Sequence, residues 1–437
     1  MQTISYSIKK EIPLLHEADV IVVGGGPGGT GAAIMAARHG VRTLLIERYG
    51  YLGGMATSGE VHPFMPNEVN GACLDRPVYT DWIIAMQKYL SVGQASGRGC
   101  QKEKISADDR MISKEIAMLA AEDLCLEAGV QLLYHHSLVD VIKTGTTIDS
   151  LVLSSKSGYT AARAKIYVDT TGDADLAAMA GCKFEMGGQS GHCQPMTLCF
   201  KLSHVDVRRT PDRETLTRLY REAKERGEID CPREDVLVFE WFQPDVIHFN
   251  TTRIIKRNGT SGIELSDAEI EGRRQMRQLM AFLKHHIPGY AQAQLHSVGH
   301  HIGVRETRRV RGLKYLTREA FDRCAKFPDG IARVHYPIDI HNPEGTGSEM
   351  IHMPEGEWYE IPYGCIVAQD IGNLLMGGRP ISVDHAIHSS MRVMPVACSI
   401  GQAAGLAAAL AALRETLPSK LAGMEVRQML IAQGAFL

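Results

Sequence analysis

The pattern of apolar and glycine positions near the N-terminus is the strongest structural signal in the sequence. Residues 20–23 are all apolar and β-branched, which is typical of a short strand buried on both faces. Six glycines follow within residues 24–31, and residues 32–39 are then helix-forming, with no breaker before Gly40. Residues 41–46 form a second, largely apolar run. The pattern predicts a strand, a glycine turn, a helix and a second strand.

The glycine spacing gives this unit a chemical interpretation. Gly24, Gly26 and Gly29 fit G-x-G-x-x-G, in which the glycines make a tight turn, admit a pyrophosphate and let the helix pack closely. The helix start adds free N–H groups and roughly half a positive charge. Glu47 lies 23 residues after Gly24, near the spacing of about 20 for an acid that binds ribose hydroxyls. We predict dinucleotide binding; the alternative is a purely structural βαβ unit.

Further elements are predicted along the first half of the chain. Gly53 and Gly54 mark a second close approach of the backbone. Residues 106–129 have apolar periodicity, a serine at the start and a glycine at the end, which predicts a capped helix. Residues 130–173 alternate strands and turns, which predicts a β-meander. It ends on the polar turn 169–173, and ligands of open α/β sheets bind at such strand ends.

The second half of the chain has a different texture. Charged and aromatic residues become denser over about 199–362, which predicts an inserted domain with exposed helices at 208–230 and 268–290. Residues 373–382 then return to a strand followed by glycines. Residues 393–413 predict a helix of small side chains whose N-terminus is another anion site. We expect the first and last segments to fold together around one cofactor.

Composition limits the class of protein. A chain of 437 residues exceeds the usual single-core limit of about 250–300, so two domains are expected. The net charge of −3 provides no electrostatic reason to bind nucleic acid or an anionic membrane. The uncharged stretches 20–37 and 394–413 are rich in glycine or alanine, so no membrane span is expected. Residues 1–19 lack the apolar core of a signal peptide, and the ten cysteines form no C-x-x-C pair. We therefore expect a cytoplasmic protein with reduced thiols.

Six separated motifs resemble one known family. They are "GGGPGGTGAA", "ERYGYLGGMATSG", "VDTTGDADLA", "GVRETRRV", "NLLMGGRPIS" and "SSMRVMPVACSIGQAAGLAAA". The chain resembles the FAD-dependent oxidoreductases of the glutathione-reductase-like superfamily, distantly akin to the flavoproteins of succinate dehydrogenase and fumarate reductase. The resemblance covers nearly the whole chain and is weakest between about residues 201 and 295.

The resemblance implies an α/β fold: a glutathione-reductase-like FAD-binding Rossmann domain with a β-meander, and an inserted α+β substrate domain. The FAD-binding domain would be discontinuous, over residues 1–60, 106–200 and 363–437. The substrate or cap domain would span residues 61–105 and 201–362.

The same resemblance implies how FAD is held. Glu47 would bind the adenosine ribose, the strand near Val139 would lie beside the adenine, and the last helix would point its N-terminus at the flavin pyrimidine ring. Non-covalent FAD is expected, because no histidine is evident where relatives carry covalent flavin. A second G-x-G-x-x-G is absent, so an internal nicotinamide domain is not expected. The implied cofactor-binding residues are Gly24, Gly26, Pro27, Gly28, Gly29, Glu47, Arg48, Gly53, Gly54, Met55, Ala56, Val139, Thr171, Gly172, Asp173, Gly378, Arg379, Gly401, Ala403 and Ala404.

One position departs from the family pattern. Flavoenzymes of this superfamily often have an aspartate in the C-terminal glycine motif that holds the ribityl chain. Here Arg379 follows Gly377 and Gly378. The resemblance alone does not assign a role to this arginine.

Two histidines after the second glycine motif are candidates for proton transfer. Histidine suits that task near neutral pH. His385 occupies a position where family members also have histidine, and Asp384 could orient a neighbouring imidazole. His388 is the second candidate. A structural or cofactor-contacting role is the alternative for both, and the His385-x-x-His388 spacing would also allow a metal, for which no third ligand is apparent.

Arginines are the candidates for anchoring the substrate. Arg305 and Arg392 could each hold a carboxylate by two hydrogen bonds, as relatives that act on dicarboxylates do. The alternative for Arg305, in the charged segment "HHIGVRETRRV", is ion-paired scaffolding. His62 follows the Gly53-Gly54 loop and could face the flavin and influence substrate choice.

These residues predict an FAD-dependent oxidoreductase of the dehydrogenase or reductase type. It would transfer hydride between a small polar metabolite and flavin N5, with an external electron acceptor or donor as its second partner. Two alternatives share the fold: a protein with a non-redox, regulatory FAD, and a flavin monooxygenase. No resident metal and no nucleic-acid partner are expected.

Overall fold

The computed structural model describes residue 4 and residues 11–90 and 104–437. The helices, in chain order, are α1 (Pro27–Arg38), α2 (Val78–Gln87), α3 (Lys114–Glu127), α4 (Asp175–Met179), α5 (Arg213–Glu225), α6 (Gly262–His286), α7 (Arg318–Asp322), α8 (His385–Met391), α9 (Met394–Leu413) and α10 (Gly423–Ala432). The strands are β1 (Leu14–Val23), β2 (Thr43–Ile46), β3 (Glu68–Val69), β4 (Ala72–Cys73), β5 (Gln131–Leu133), β6 (Ser137–Thr144), β7 (Thr147–Ser155), β8 (Gly158–Asp169), β9 (Phe184–Met186), β10 (Phe200–Ser203), β11 (Val238–Glu240), β12 (Ile247–Phe249), β13 (Gln294–Val298), β14 (Arg308–Val310), β15 (Gly330–Val334), β16 (Ile338–His341), β17 (Ser348–Ile351), β18 (Tyr359–Pro362) and β19 (Leu374–Met376).

A seven-stranded sheet organises the fold. Its order is β5-β2-β1-β8-β7-β6, and β19 pairs with β8. The pairs β1–β2, β1–β8, β2–β5 and β8–β19 are parallel, whereas β6, β7 and β8 form an antiparallel meander. The predicted mixed α/β fold with a parallel sheet and a meander is therefore confirmed. The predicted strand–turn–helix–strand unit is confirmed too, although α1 begins at Pro27, because proline fits the first position of a helix.

Helices α1 and α9 cross at unusually close range beneath this sheet. A Cβ at Gly405 would lie 2.0 Å from the carbonyl oxygen of Ala32, and one at Gly31 would lie 2.4 Å from that of Cys398. By length and hydropathy, α9 could cross a membrane, but 94 % of its apolar window is buried inside the protein. Its small side chains thus serve close packing against α1, as in a core helix.

The predicted start of α3 is wrong. The sequence pattern places the helix start at Ser106, but α3 begins at Lys114 after Ser113. Ser106 instead donates its hydroxyl to Asp109 Oδ2 at 2.6 Å, and its N–H bonds to the same oxygen at 2.9 Å. This local pair closes a separate 3-10 turn over Asp108–Arg110. An extended residue, Met111, follows and interrupts the helix.

A second, four-stranded antiparallel sheet, β11-β12-β10-β13, lies in the middle of the chain. Together with α5 and α6 it surrounds its own apolar core, from Phe200 to Ala293. The core residues of α2 and of β15, β16 and β18 belong instead to the large cluster around the seven-stranded sheet. The domain limits at 60, 105, 200 and 362 stay a prediction, and their parts 1–3, 5–10 and 91–103 lie outside the described residues.

Candidate active site

A deep cavity of about 650 Å³ lies at the carboxyl ends of β1, β2, β8 and β19 and the N-terminal ends of α1 and α9. Its volume is in the range of about 300–1,000 Å³ that is usual for cofactor and ligand sites, and its place in the sheet is the usual one for a dinucleotide. The structure brings together here thirteen of the residues predicted to bind the cofactor: Gly24, Gly26, Pro27, Gly28, Glu47, Arg48, Gly54, Met55, Thr171, Gly172, Asp173, Gly378 and Arg379.

The three glycines of the first motif have three different surroundings. Gly24 has φ +102°, a conformation that favours glycine. A Cβ at Gly29 would lie 1.8 Å from the Gly24 carbonyl oxygen, so this glycine allows α1 to pack on β1. A Cβ at Gly26 would meet nothing nearer than 3.8 Å, because this glycine faces the cavity. Of these three positions, Gly26 is the one where no contact within the protein explains why a glycine is needed. This is expected where a pyrophosphate approaches the backbone.

The other predicted residues outside the lining shape the cavity by packing. A Cβ at Gly401 would lie 1.9 Å from the Gly28 carbonyl oxygen, which brings the start of α9 to the cavity. Gly53 has φ +104°, and a Cβ at its neighbour Gly54 would lie 2.7 Å from the Gly26 Cα. The remaining buried residues of this group are Ala56, Ala403 and Ala404.

Glu47 holds the turn while it faces the cavity. Its carboxylate accepts the N–H of Gly25 at 2.6 Å and the N–H of Tyr49 at 2.9 Å, through different oxygens. The side chain is buried, and the residue lines the cavity. Each carboxylate oxygen has two acceptor sites, so both can still accept a ribose hydroxyl.

Arg379 joins the two strand ends that border the cavity. Its Nε donates to the Gly172 carbonyl at 2.9 Å, Nη2 donates to Asp173 Oδ1 at 2.7 Å, and Nη1 donates to the Val304 carbonyl. Thr307 also donates to Asp173, at 2.8 Å. The arginine that replaces the family's usual aspartate thus fixes the turn after β8 to the turn after β19.

Three aromatic rings, to which the sequence analysis gave no role, line the cavity. The Tyr49 ring stacks on His301 with a centroid separation of 5.5 Å, and Tyr51 stacks beside Tyr49 at 6.0 Å. All three rings line the cavity, as does Leu138. The Val139 side chain is 41 % exposed and lies outside the lining, because successive side chains of β6 face opposite sides. The two tyrosines after Glu47 were the available signal, since aromatic rings commonly wall ligand sites.

Ser58 is another lining residue; it lies within the motif "ERYGYLGGMATSG", but the motif assigned no role to it. It is 1 % exposed, and its Oγ has no hydrogen-bond partner among the described residues. A buried hydroxyl without a partner is unfavourable, and a bound ligand would relieve this. The orphaned hydroxyl, the open Gly26 and the free N–H groups at the start of α1 together fit a dinucleotide cofactor.

His385 is paired with Glu306 rather than with Asp384. Its Nδ1 lies 2.9 Å from Glu306 Oε1, and Glu306 is fully buried and also accepts Nη1 of Arg309. Asp384 is instead the N-cap of α8 and accepts the N–H of Ile387 at 2.8 Å. The expectation that Asp384 orients an imidazole is therefore wrong for His385, because its carboxylate is used for capping. The His385 ring does not line the large cavity.

The other two candidate histidines are buried. His388 is fully buried, neither ring nitrogen has a partner among the described residues, and burial lowers its pKa well below the usual value. His62 accepts the N–H of Ile112 on Nδ1 at 3.0 Å and therefore donates from Nε2 to the Glu240 carbonyl at 3.1 Å. Burial lowers the pKa of His62 to about 4. Its catalytic role stays a prediction that these backbone contacts do not favour. No group of three possible metal ligands occurs within the described part of the chain.

Arg392 and Arg305 lie near each other at the α9 end of the site. Arg392 lines the cavity, and its Nη2 donates to Gln194 Oε1 at 3.3 Å and to the Asp339 carbonyl at 3.2 Å. Arg305 donates from Nη1 to the Pro195 carbonyl at 2.7 Å. Burial, followed by the charge of Arg392, lowers the pKa of Arg305 to about 9, so this guanidinium is still charged at pH 7.

Comparison with known proteins identifies the chain's relatives. The family model described as FAD dependent oxidoreductase matches residues 19–430. Digeranylgeranylglycerophospholipid reductase of Thermoplasma volcanium is 28 % identical over 180 residues, which are 38 % of this chain and 42 % of that protein. Dihydrolipoyl dehydrogenase of Trypanosoma brucei brucei is 55 % identical over 42 residues, which are 10 % of this chain and 9 % of that protein. The chain thus matches less than half the length of either relative.

Among solved structures, a geranylgeranyl bacteriochlorophyll reductase-like protein of Thermoplasma acidophilum aligns with 96 % of this chain and 84 % of its own. The identity is 15 % and the TM-score is 0.45. At that TM-score the likeness supports no argument about substrate.

Proposed function

The chain belongs to the FAD-dependent oxidoreductase family, and on that premise we propose that it transfers hydride between a small, anionic, polar metabolite and flavin N5. We propose further that the fold is of the glutathione-reductase-like subtype and that FAD is bound without a covalent link. The observation that carries the proposal is one cavity whose wall includes Gly26 and Glu47 of the first βαβ unit together with Arg392.

The residues that would hold FAD follow from the cavity. The start of α1 and the open Gly26 would face the pyrophosphate, Glu47 would accept the ribose hydroxyls, and the start of α9 would lie at the flavin side. When bound, FAD supplies an acceptor or donor of hydride at N5. Noncontiguous segments therefore close around one cofactor, which suits a tightly held flavin better than a diffusible nicotinamide.

The protein's own groups divide the remaining work. Arg305 and Arg392 bring two positive charges to the α9 end and would hold a carboxylate. His385 lies outside the cavity lining, and we keep it as the proposed proton carrier because the Glu306 carboxylate fixes its Nδ1 as a donor and leaves Nε2 free to accept a proton. What supports this role is the histidine–carboxylate pair.

The test begins with the purified protein. We expect a yellow protein whose flavin spectrum is lost when FAD is removed by denaturation, which shows non-covalent binding. Anaerobic mixing with a panel of carboxylate metabolites should bleach the flavin for at least one of them, and an external acceptor should restore the colour. A colourless, folded protein that does not take up FAD would refute the proposal. Substrate-dependent oxygen insertion would instead assign the protein to the monooxygenases.

A further inference from the structure

Arg392 is the centre of a polar cluster that the proposed chemistry leaves partly unused. Gln194 from one segment, and Asp339 and His341 from strand β16, meet around it. Asp339 Oδ2 lies 3.7 Å from Arg392 Nη2 and 3.5 Å from His341 Nε2. Arg305 adjoins the cluster, because its Nη1 donates to the carbonyl of Pro195, the residue after Gln194, at 2.7 Å. We call these five residues the Arg392 cluster.

Three atoms of this cluster are buried without a hydrogen-bond partner among the described residues: Arg392 Nε, Gln194 Nε2 and Asp339 Oδ1. Gln194 is 2 % exposed and Asp339 is 7 % exposed. Buried polar atoms in native proteins are nearly always paired, so three unpaired atoms around one cavity-lining arginine indicate a ligand. Two of the three are donors and one is an acceptor.

The net charge of the cluster is +1. Arg305 and Arg392 are both charged at pH 7, and Asp339 is ionised. Burial by itself would raise the pKa of Asp339, but the hydrogen bond from His341 and the charges of the two arginines hold it well below its usual range. Burial and then the charge of Arg305 lower the pKa of His341 to about 3, so this imidazole is neutral. The adjacent Arg233 is already paired with a carboxylate at 2.8 Å. One negative charge on a ligand would therefore balance the cluster.

We infer that the Arg392 cluster binds a 2-hydroxy monocarboxylate. The ligand carboxylate accepts hydrogen bonds from Arg305, Arg392 and Gln194 Nε2. The ligand hydroxyl donates a hydrogen bond to Asp339 Oδ1. The hydroxyl belongs on the carbon beside the carboxylate, because Asp339 and Arg392 lie within 3.7 Å of each other. This inference rests on the proposed function, since it names the substrate class of that same site.

Three probes of similar size test the assignment in the FAD-loaded protein: lactate, propanoate without the hydroxyl, and lactamide without the charge. Binding is measured by isothermal titration calorimetry and by perturbation of the flavin spectrum, with no turnover required. A hydrogen bond to a charged group implies that lactate binds about 10-fold more tightly than propanoate. Lactamide should bind at least as weakly as propanoate, because it gives the two arginines no negative partner.

The variants locate the effect. Asp339→Asn keeps the side-chain volume and should reduce the preference for lactate over propanoate to about 2-fold or less, with Asp339→Ala as a second variant. Glu349→Gln, on the exposed side of the paired strand β17, is the matched control and should keep the full preference.

Equal binding of lactate and propanoate, binding of none of the three probes, or an unchanged preference in both Asp339 variants would overturn the inference. Reduction of the flavin by a substrate without a carboxylate would overturn it as well and leave the oxidoreductase proposal intact, whereas a protein without FAD would refute that proposal first.

Discussion

The cofactor-binding part of the cavity and the Arg392 cluster are built in opposite ways. The part that would hold FAD, which we call the cradle, consists largely of backbone from short sequence motifs. The absence of a side chain is the essential property there, as at Gly26 and Gly29. The Arg392 cluster consists of side chains that four distant segments bring together. A backbone cradle tolerates little variation, whereas a side-chain cluster can change its ligand by single substitutions. One fold can therefore keep its cofactor while its substrate changes.

The sharpest contrast within the cradle is between two glycines of one motif, and it should give the largest effect. Gly29→Ala would place a Cβ 1.8 Å from the Gly24 carbonyl oxygen, so we expect destabilisation on the order of 3 kcal/mol or more and loss of FAD. Gly26→Ala has room within the protein, where φ is −72°, and should unfold near the wild-type temperature without FAD while binding FAD poorly. Thermal unfolding with and without added FAD measures both. Equal stability of the two variants would contradict this division.

The substrate side is tested by His385→Ala, which should leave the protein yellow. We expect the reduction of bound flavin by substrate to slow by about 10²–10⁴, the range for loss of a proton carrier. Anaerobic stopped-flow absorbance measures the rate, and His352→Ala, at an exposed histidine, is the control. A slowing of less than 10-fold would make His385 part of the scaffold.

Glu47→Gln tests the carboxylate that lies beside the first glycine motif. The amide cannot accept both the Gly25 and Tyr49 N–H groups, and it loses the charge-assisted bonds proposed for the ribose. FAD affinity should fall about 10- to 100-fold, while any flavin that binds is reduced at a nearly normal rate. Titration of the apoprotein with FAD measures the affinity, and the exposed Glu17→Gln on β1 serves as control. Slow reduction of the bound flavin would be evidence against a purely binding role.

The last prediction concerns stability rather than cofactor or substrate, and it tests the support of α9. Burial raises the pKa of Asp75 to about 7; its carboxylate accepts Ser399 Oγ at 2.6 Å and Asn67 Nδ2 at 2.9 Å. The folded protein keeps this proton between about pH 4 and pH 7, where the unfolded chain has released it. The free energy of unfolding should therefore fall with rising pH in that window, by at most about 1.4 kcal/mol per pH unit from this group. Asp75→Asn should flatten the profile measured by denaturant titration, whereas an unchanged slope would assign it to other groups.

The sequence predicted the cradle well because its physics is local. Gly24, Gly26 and Glu47 belong to one βαβ unit, so their spacing already encodes their placement. The start of α3 was mispredicted because Ser106 and Asp109 satisfy each other in a turn that resembles a helix cap. Both the βαβ unit and the start of α3 depend on interactions between residues that are close together in the sequence.

Only part of the Arg392 cluster could be predicted from the sequence. Arg305 and Arg392 could be proposed from charge alone, but Gln194 and Asp339 lie in no motif and meet Arg392 across 198 and 53 residues of chain. Their hydrogen-bonding needs become visible only when folding has buried them. The pairing of His385 with Glu306, 79 residues away, was hidden for the same reason.

The crossing of α1 and α9 has a consequence for the protein's synthesis. The two helices meet with Gly28 against Gly401 and Ala32 against Gly405, yet a long stretch of chain separates them, so α1 is synthesised well before α9. At about 5–20 residues per second, roughly tens of seconds separate them on the ribosome. During that interval α9 is not yet present to pack against α1, so the nascent chain has no complete cavity for flavin. Cofactor loading would therefore wait for α9 to emerge, and we expect a chain that stops short of α9 to remain colourless.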